Sequence, residues 1–586
     1  MNYNLNSLNS SAEKKTVLKS LRTLISHMVE EKKLLLIAFI AMLITALLSL
    51  LGPILIGYTI DHYIQSKQYH GVLVFSGILL IMYSITLVTG YIQAKLMGTV
   101  GQRMLFTLRN AVFNKIQELP LDFFNQNKAG DLISRINNDT DKINQFFSQS
   151  LMQFIRFILT MIGAAIFLLS INLPLGAAAL SPAIAIYVFT RFASPWVKKL
   201  NAINLKSTGS LSSEIQENLS NFKVIVAFNR RDYFRSRLNE ANRDNYQTSV
   251  NAGLANNTFM PVFSFFSNIG QLIVLAYGIY LIGRGQFTIG LLISFIAYVT
   301  NFYNPLRQLA ALWANFQIAL AAWDRILNLL KLENNINLVG GGKKKASSSL
   351  ITFRDVSFTY PNGTEVLDKI NFELERGRTY AFVGPTGGGK TTTASLLARL
   401  YDTSNGKILI DGRDIRSFTP EERVQKIGFI LQDPILFSGT VKDNILYGNE
   451  QYRDLNNGEL IRLLQQTGLE ALLKRFDQGL DTGVDIAGDD ISVGQKQLIA
   501  FMRAVLRQPE LLILDEATAN IDTVTEMMLE EILQKLPPTT TRVIIAHRLN
   551  TIANADEIFF VNTGTITRAG SLQDAVDMLM QQKKAS

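Results

Sequence analysis

The chain has 586 residues, of which 48% are hydrophobic and only 18% are charged, whereas about a quarter of the residues in ordinary soluble domains carry a charge. This excludes a single soluble domain and predicts that part of the chain lies in lipid. The 57 Lys and Arg residues outnumber the 48 Asp and Glu residues, and we assign the excess to cytoplasmic loops rather than to a nucleic-acid partner. The absence of cysteine excludes disulfides and thiol chemistry.

Charge-free windows in the first half predict six membrane-spanning helices, since a helix needs roughly 20 residues to cross a bilayer. One window is long enough for two helices and is broken by the turn-forming sequence Asn172-Leu173-Pro174-Leu175-Gly176. No Asp, Glu, Lys or Arg lies in the span interiors, so the sequence suggests neither a proton relay nor a fixed counter-ion in mid-membrane. The windows are residues 34–60, 71–94, 157–190, 257–282 and 287–306.

Basic residues are unevenly distributed between the connecting segments, which predicts the orientation of the chain. Lys95, Arg103, Lys199 and Arg230 follow the second and fourth spans, whereas few cations follow the first, third and fifth. Basic segments face the cytoplasm. We therefore expect the N-terminal segment 1–32 and the C-terminal half to be cytoplasmic.

The two long internal segments, residues 95–156 and 191–244, carry helical apolar spacing, as at Leu132, Ile136 and Ile143. They predict membrane helices that continue into the cytoplasm and contact the C-terminal half. The alternative is that they only solvate the helix ends.

Aromatic residues of the fifth and sixth spans permit two interpretations. They either line an apolar substrate path or pack together and face lipid. These residues are Phe259, Phe263, Phe265, Phe266, Phe295, Phe302 and Tyr303.

The expected organisation is a transmembrane domain of residues 33–331, a flexible linker of residues 332–349 rich in Gly, Lys and Ser, and a second domain of residues 350–586. From residue 350 onward short β-rich runs alternate with helical stretches. The expected fold class is therefore an all-α membrane domain of six helices followed by an α/β domain with a substantially parallel sheet.

A phosphate-binding loop follows the apolar strand 379–383 and precedes a predicted helix, residues 392–400. Its glycines allow backbone N–H groups to close around phosphates, Lys390 reaches the β and γ phosphates, and the Thr391 hydroxyl suits Mg²⁺. We expect ATP and Mg²⁺ as cofactors. The nucleotide-binding residues are Gly384, Pro385, Thr386, Gly387, Gly388, Gly389, Lys390, Thr391 and Thr392.

A second apolar strand, residues 511–514, ends in Asp515 and Glu516. Asp515 suits a contact with Mg²⁺, and Glu516 suits polarisation of the attacking water. Together the loop and the strand predict nucleotide hydrolysis.

Between them lies Ile491-Ser492-Val493-Gly494-Gln495, which resembles the Leu-Ser-Gly-Gly-Gln signature of ATP-binding cassette proteins. With six preceding spans, the chain resembles one half of a type IV exporter of that family. The resemblance implies that Ser492, Gly494 and Gln495 contact a nucleotide held by another subunit.

The resemblance also assigns roles by position. Tyr360 stacks on adenine, Gln432 senses the γ-phosphate and contributes with Thr391 and Asp515 to the metal site, His547 bonds the γ-phosphate in catalysis, and Asp522 lies in the loop that communicates across the dimer. Short coupling helices are implied within residues 123–131 and 218–228.

Two residues depart from the family pattern, and the first of them bears on the prediction of the partner. Val493 replaces the first signature glycine, and its β-branched side chain crowds the approach of a phosphate. The resemblance then favours a heterodimer with a different half-transporter, although a homodimer remains open. Gly388 replaces a usual serine and is expected to reduce affinity modestly through the lost hydroxyl.

The predicted function is ATP-driven export of hydrophobic or amphipathic compounds, of the multidrug type, across a bacterial cell membrane by a multi-pass protein that contacts lipids. The alternatives are a lipid or peptide exporter, or an ATP-gated channel or regulatory subunit.

Overall fold

The computed structural model describes residues 31–333, 349–361, 363–485, 491–515, 522–545, 554–570 and 573–578, together with Tyr3, Leu5 and Ile552. The chain divides into two compact units. The membrane unit comprises residues 5–117 and 129–331, and the nucleotide unit comprises residues 1–4, 118–128 and 332–586. Most of the predicted linker lies outside the described residues.

Six helices in the described part of the chain are long and apolar enough to cross a membrane, which confirms the predicted number. We call them the first to sixth membrane helices. Their bounds are Lys32–Ile64, Tyr69–Glu118, Ala129–Ile171, Leu173–Ser220, Arg231–Gly283 and Ile289–Leu330.

Several of these helices are built from shorter pieces. Single π-helical turns at Ile60–Ile64, Arg135–Asp139 and Phe146–Ser150 lie in the first and third. The pieces of the first, third, fourth and fifth helices are Lys32–Thr59, Ala129–Ser134, Thr140–Gln145, Leu151–Ile171, Leu173–Leu180, Pro182–Ser220, Arg231–Asn257 and Phe259–Gly283.

The predicted break between the third and fourth helices is confirmed at Asn172. Its side chain accepts a hydrogen bond from the Leu175 backbone N–H at 3.0 Å and caps the new helix. Pro174 lies in the first turn, where a proline is tolerated because its missing N–H would have no partner there.

The helices extend far beyond the membrane thickness. Tyr69–Glu118 has 50 residues, about 75 Å at 1.5 Å per residue, against a hydrocarbon core of about 30 Å. Short helices follow two of these extensions, at Leu121–Gln126 and Phe222–Ala227. The predicted continuation of the helices is therefore present. The short helix Phe222–Ala227 lies within the predicted range 218–228, whereas Leu121–Gln126 begins two residues before the predicted range 123–131 and ends within it.

The C-terminal end of the first helix and the N-terminal end of the sixth cross closely. A Cβ at Gly290 would lie 2.0 Å from the Gly57 carbonyl oxygen, so a larger residue does not fit. The Ser294 hydroxyl donates to the Pro53 carbonyl at 2.7 Å, and the Asp61 carboxylate accepts from the Gly290 N–H at 2.7 Å. Asp61 thereby caps the start of the sixth helix.

The aromatic residues of the fifth and sixth helices mainly pack together. Phe263, Phe295 and Tyr303 are buried in one hydrophobic cluster, and the Tyr303 hydroxyl donates to the Ala179 carbonyl at 2.9 Å. Phe265, by contrast, is 62% exposed. Of the two interpretations, packing describes the buried residues.

The nucleotide unit contains twelve strands among its described residues. Their bounds are β1 Ser349–Thr359, β2 Glu365–Glu375, β3 Thr379–Val383, β4 Asn405–Ile410, β5 Arg413–Asp414, β6 Ile427–Ile430, β7 Gly439–Thr440, β8 Gly483–Val484, β9 Leu511–Asp515, β10 Thr541–Ile545, β11 Glu557–Asn562 and β12 Thr565–Ala569.

Helices of this unit alternate with the strands. Their bounds are Lys390–Leu397, Pro420–Lys426, Val441–Leu446, Asn457–Gln466, Glu470–Leu473, Val493–Val505 and Thr523–Gln534. The helix after the phosphate loop thus begins two residues earlier and ends three residues earlier than predicted.

A six-stranded sheet forms the centre of the unit, in the order β12-β11-β3-β10-β9-β6. All its neighbouring strands are parallel except β11 and β12. Ile545 of β10 pairs with Phe382 of β3 and with Asp515 of β9. The carboxyl ends of β3 and β9 therefore lie at one edge of the sheet, where ligands bind in α/β folds.

A separate antiparallel sheet has the order β2-β1-β4-β5, and β7 pairs with β8. Every residue of β3 and β9 is buried, as expected for apolar runs covered on both faces. The loops at their ends are consequently held by a rigid core.

Candidate nucleotide-binding site

The loop between β3 and the helix Lys390–Leu397 has a backbone that only glycine adopts readily. Gly384, Gly387 and Gly389 have φ values of 149°, 82° and 109°. A Cβ at Gly384 would lie 2.0 Å from the Val561 carbonyl oxygen. The loop backbone therefore has positive φ angles at these glycines and lies in close contact with β11.

Lys390 crosses the mouth of this loop. Its side chain is buried, and its Nζ donates to the carbonyl oxygens of Gly384 and Pro385, both at 2.9 Å. An ammonium held beside the N-terminus of a helix is placed to neutralise phosphate oxygens, which accept stronger hydrogen bonds than carbonyls do.

Thr391 and Asp515 bring two hard oxygen donors together. The Thr391 hydroxyl donates to the Asp515 carboxylate at 3.4 Å, and Asp515 is 1% exposed at the end of β9. A hydroxyl and a single carboxylate fit Mg²⁺, which usually takes one or two protein ligands and completes its shell with water and phosphate. The described residues contain no cluster of three or more acidic or His side chains that would hold a metal on its own.

Tyr360 lies beside the same loop. Its hydroxyl is hydrogen-bonded to the Thr392 hydroxyl at 3.0 Å, and its ring makes edge contacts with Phe358 and Tyr401, with centroids 4.9 and 5.6 Å apart. The ring is only partly buried, so one part of it is available to stack on a planar base.

The signature segment starts a helix on the surface of the unit. Ser492 caps Val493–Val505 by accepting from the Gln495 N–H at 3.2 Å, and the Gln495 Oε1 accepts from the Ser492 N–H at 2.9 Å. This reciprocal capping fixes the N-terminus of the helix. Val493, in the first turn, is 51% exposed and projects where a ligand would approach.

Arg475, which sequence reasoning missed, joins the signature to Asp522. Its carbonyl accepts from Gln495 Nε2 at 2.7 Å, and its guanidinium lies 3.4 Å from Asp522. Asp522 caps the helix Thr523–Gln534 and accepts hydrogen bonds from the backbone N–H and the hydroxyl of Thr525. These hydrogen bonds lower the pKa of the Asp522 carboxyl. Nothing in the sequence around Arg475 distinguishes it from other surface cations.

Known protein families match both halves of the chain. A family model described as the ABC transporter transmembrane region matches residues 35–306, and one described as ABC transporter matches residues 367–519. The chain belongs to the ABC transporter family. It is a half-transporter of the type IV exporter kind that hydrolyses ATP coupled to transport.

Three bacterial relatives illustrate the range of named functions. The uncharacterized ABC transporter ATP-binding protein YfiC of Bacillus subtilis is 34% identical over 98% of this chain and 94% of its own length. A fatty acid ABC transporter ATP-binding/permease protein of Mycobacterium bovis is 34% identical over 82% of this chain and 75% of its own. A probable multidrug resistance ABC transporter protein of Bacillus subtilis, YheH, is 32% identical over 83% and 72%.

Some predicted site residues of this ABC half-transporter cannot be placed. Glu516 and His547 lie outside the described residues. Gln432 follows β6 and is exposed. The structure therefore brings together the phosphate loop, Asp515 and Tyr360, and separately Ser492, Gln495 and Asp522.

Two further features near the loop were not expected. A Cβ at Gly388 would lie 2.7 Å from the Val561 carbonyl oxygen, so a serine requires the loop or β11 to shift. The Tyr401 hydroxyl accepts from Asn125 Nδ2 at 2.7 Å, which links the short helix Leu121–Gln126 to the ring beside Tyr360. In the sequence, Tyr401 is marked only as an aromatic residue four positions after the end of the phosphate-loop helix at Leu397.

Proposed function

We propose that this half-transporter binds Mg²⁺-ATP on the phosphate loop and uses Glu516 to polarise the attacking water, with His547 bonding the γ-phosphate. The observation that carries the proposal is the placement of Lys390 across the loop mouth beside the hydrogen-bonded Thr391 and Asp515. This arrangement supplies positive charge and oxygen ligands where the β and γ phosphates would lie.

In this proposal Thr391, Asp515 and Gln432 hold Mg²⁺, which when bound neutralises phosphate charge during transfer. Lys390 exchanges its loop carbonyl partners for phosphate oxygens. Tyr360 presents its ring to adenine while its hydroxyl stays on Thr392. Lys390, Thr391, Asp515 and Tyr360 lie in or beside the loop in the structure, whereas Gln432 is exposed after β6.

The second half of the ATP site comes from a partner. The signature and Asp522 lie on the surface of the unit, tied together by Arg475. The short helix Phe222–Ala227 also presents an uncovered apolar surface, since Phe222, Val224 and Phe228 are 55%, 55% and 74% exposed. Surfaces of this kind support association with another half-transporter.

We favour a heterodimer over a homodimer. Val493 is exposed at the helix end that would face the partner's nucleotide, and its side chain blocks close approach to the backbone N–H groups. A partner with an intact signature would complete the site that this chain's Lys390 and Glu516 serve.

The transported compound is proposed to be hydrophobic or amphipathic and to leave the cell across its membrane. The nucleotide unit and the N-terminus are placed in the cytoplasm, as the basic segments after the second and fourth helices favour. The related proteins named for fatty acids and for multidrug resistance support both a lipid and a drug substrate.

Glu516→Gln tests the catalytic proposal. The variant should retain ATP binding and lose at least about 99% of turnover, because an amide cannot act as the base. Glu531→Gln is the matched control, since Glu531 is exposed and pairs with Lys535 four residues on. Turnover of Glu516→Gln within threefold of the control would refute the role.

Purification of the chain alone and with its candidate partner tests the heterodimer. The heterodimer is supported if ATP turnover per chain rises about tenfold or more only in the mixed complex. Substrate-stimulated turnover at full rate by the chain alone would overturn it.

A further inference from the structure

A polar cavity of about 210 Å³ lies between the fifth and sixth membrane helices. Phe263 and Tyr303 belong to its lining. The polar lining residues include Ser264, Ser267, Asn268 and Gln271 from the fifth helix and Asn304 and Arg307 from the sixth.

Most hydroxyl groups in the membrane helices are satisfied by their own backbone. Thr45, Ser84 and Thr300, for example, donate to the carbonyl four residues earlier. Ser264 and Ser267 do not: within the described chain neither forms a side-chain hydrogen bond. Their hydroxyls are therefore available to a ligand.

The longer side chains of the cavity are similarly uncommitted. Gln271 donates to the Thr300 hydroxyl at 3.3 Å. No hydrogen bond or ion pair joins the side chains of Asn268, Asn304 and Arg307 to any residue that the structure describes. The guanidinium of Arg307 is therefore available to bind an anion in the cavity.

The cavity runs from the middle of the membrane toward one of its boundaries. Thr300 lies about 17 Å and Arg307 about 27 Å along the sixth helix from its outer end at Ile289, at 1.5 Å per residue. In a hydrocarbon core of about 30 Å, Arg307 is thus near the level of the inner head groups. This is where a lipid-like molecule would present its head.

The chemistry of the lining favours an anion. A guanidinium binds carboxylate or phosphate oxygens through two parallel hydrogen bonds, and serine hydroxyls and asparagine amides add neutral donors. The volume is smaller than the roughly 300 to 1,000 Å³ of ligand pockets that enclose a whole small molecule. A head group fits, and an attached chain would remain outside, near exposed apolar side chains such as Phe265.

We propose that this cavity binds the carboxylate or phosphate head group of an exported anionic amphiphile and that Arg307 is its main recognition residue. The proposal rests on the export function above and specifies its substrate class. The related protein named for fatty acids transports molecules of this chemical class. Arg307 lies one residue beyond the charge-free window 287–306, so the span interior itself gave no sign of it.

Cysteine labelling provides a test that requires no ATP. Because the chain has no cysteine, Ser267→Cys introduces a unique thiol into the cavity, and its reaction with N-ethylmaleimide is measured by mass on this chain in the purified complex. Dodecanoate and dodecyl phosphate, below their micellar concentrations, should protect the thiol at about tenfold lower concentration than dodecanol or dodecyltrimethylammonium.

Substitution of the arginine separates charge recognition from apolar binding. In the Ser267→Cys background, Arg307→Gln should remove the advantage of the two anions over dodecanol, whereas Arg307→Lys should retain part of it. The control is Arg284→Gln, since Arg284 lies in the loop between the fifth and sixth helices and stacks on Tyr280. Protection at equal concentrations by dodecanol and dodecanoate, or a full anion advantage in Arg307→Gln, would overturn the proposal.

A second measurement avoids the cysteine substitution. The dodecanoate concentration that half-maximally stimulates ATP turnover should rise about tenfold in Arg307→Gln and stay unchanged in Arg284→Gln. Comparison of dodecanoate with dodecyl phosphate distinguishes a carboxylate from a phosphate head.

Failure of export is distinguishable from failure of this site. If protection is charge-selective but ATP drives no dodecanoate across vesicle membranes, the export function is wrong and the head-group site stands. If ATP drives dodecanoate transport without charge-selective protection, the site is wrong and export stands.

Discussion

The phosphate loop and the signature segment are the two regions that we propose to contact nucleotide, and they differ in how far each is completed by its own fold. Lys390 is buried, and its Nζ donates to two carbonyl oxygens of the loop itself. Val493, in the signature, is half exposed at the start of a helix. The phosphate loop thus holds its own lysine in place, whereas the signature is a capped helix end whose proposed nucleotide is bound by the partner.

This difference indicates where substitutions will act. In the proposed dimer, a change in the phosphate loop alters the ATP site that Lys390 of this chain serves. A change in the signature alters the other site, to which the partner contributes the phosphate loop. Comparison of the two tests whether the sites are equivalent.

The largest effect is expected from Lys390→Ala. Loss of the ammonium removes the charge that faces the phosphates and should lower ATP turnover by about a hundredfold or more. Lys535→Ala is the control, because Lys535 is exposed and pairs with Glu531. Steady-state turnover of the purified complex within threefold of the control would show that the loop does not bind phosphate as described.

Val493→Gly is expected to raise turnover about tenfold, the gain from one recovered hydrogen bond of about 1.5 kcal/mol to a charged group. Val524→Gly is a close control, since Val524 is 58% exposed in the first turn of the helix Thr523–Gln534. Both variants exchange valine for glycine at a helix start. Equal turnover in the two would mean that the signature is not impaired by its valine.

Ser492→Ala should reduce stability by about 1 kcal/mol through loss of the helix cap. Asn456→Ala removes the equivalent reciprocal cap of the helix Asn457–Gln466 and should have a similar effect on thermal unfolding. Only Ser492→Ala should additionally reduce turnover, because its hydroxyl is assigned to a partner-bound phosphate. A turnover loss in both variants would indicate a purely structural role for Ser492.

The smallest effect is expected at the hydrogen bond between Asn125 and Tyr401. Tyr401→Phe and Asn125→Ala should each change turnover by about twofold, and the double variant should not add to either, since both remove the same bond. Additive effects would show that the two side chains act separately. These measurements would indicate how strongly the short helix Leu121–Gln126 is connected to the nucleotide site.

The six membrane helices were predictable because lipid requires long uncharged windows, and the turn at Asn172 because proline and asparagine mark a helix start. The phosphate loop and Asp515 were predictable because phosphate chemistry restricts the residues and their spacing. Glu516 and His547 remain predictions. Arg475 and Tyr401 could not be found, since their roles depend on contacts between segments distant in sequence.

The same limit explains the cavity at Arg307. Hydropathy records that a window is uncharged, but not that Ser264, Ser267 and Asn304 share one space with a cation from the next turn of helix. The consequence of Gly388 was likewise visible only when its distance from the Val561 carbonyl was known. Composition predicts which segments lie in lipid, but the chemistry of a site depends on which side chains the fold brings together.

The crossing of the first and sixth helices has a mechanical consequence. Gly57 and Gly290 meet through backbone, and Asp61 and Ser294 join the helices through hydrogen bonds. Separation of the helices at this point would break both hydrogen bonds and would also unpack apolar side chains, since Leu50 of the first helix and Phe295 of the sixth belong to one buried hydrophobic cluster. Polar contacts and apolar packing therefore both oppose separation of these two helix ends.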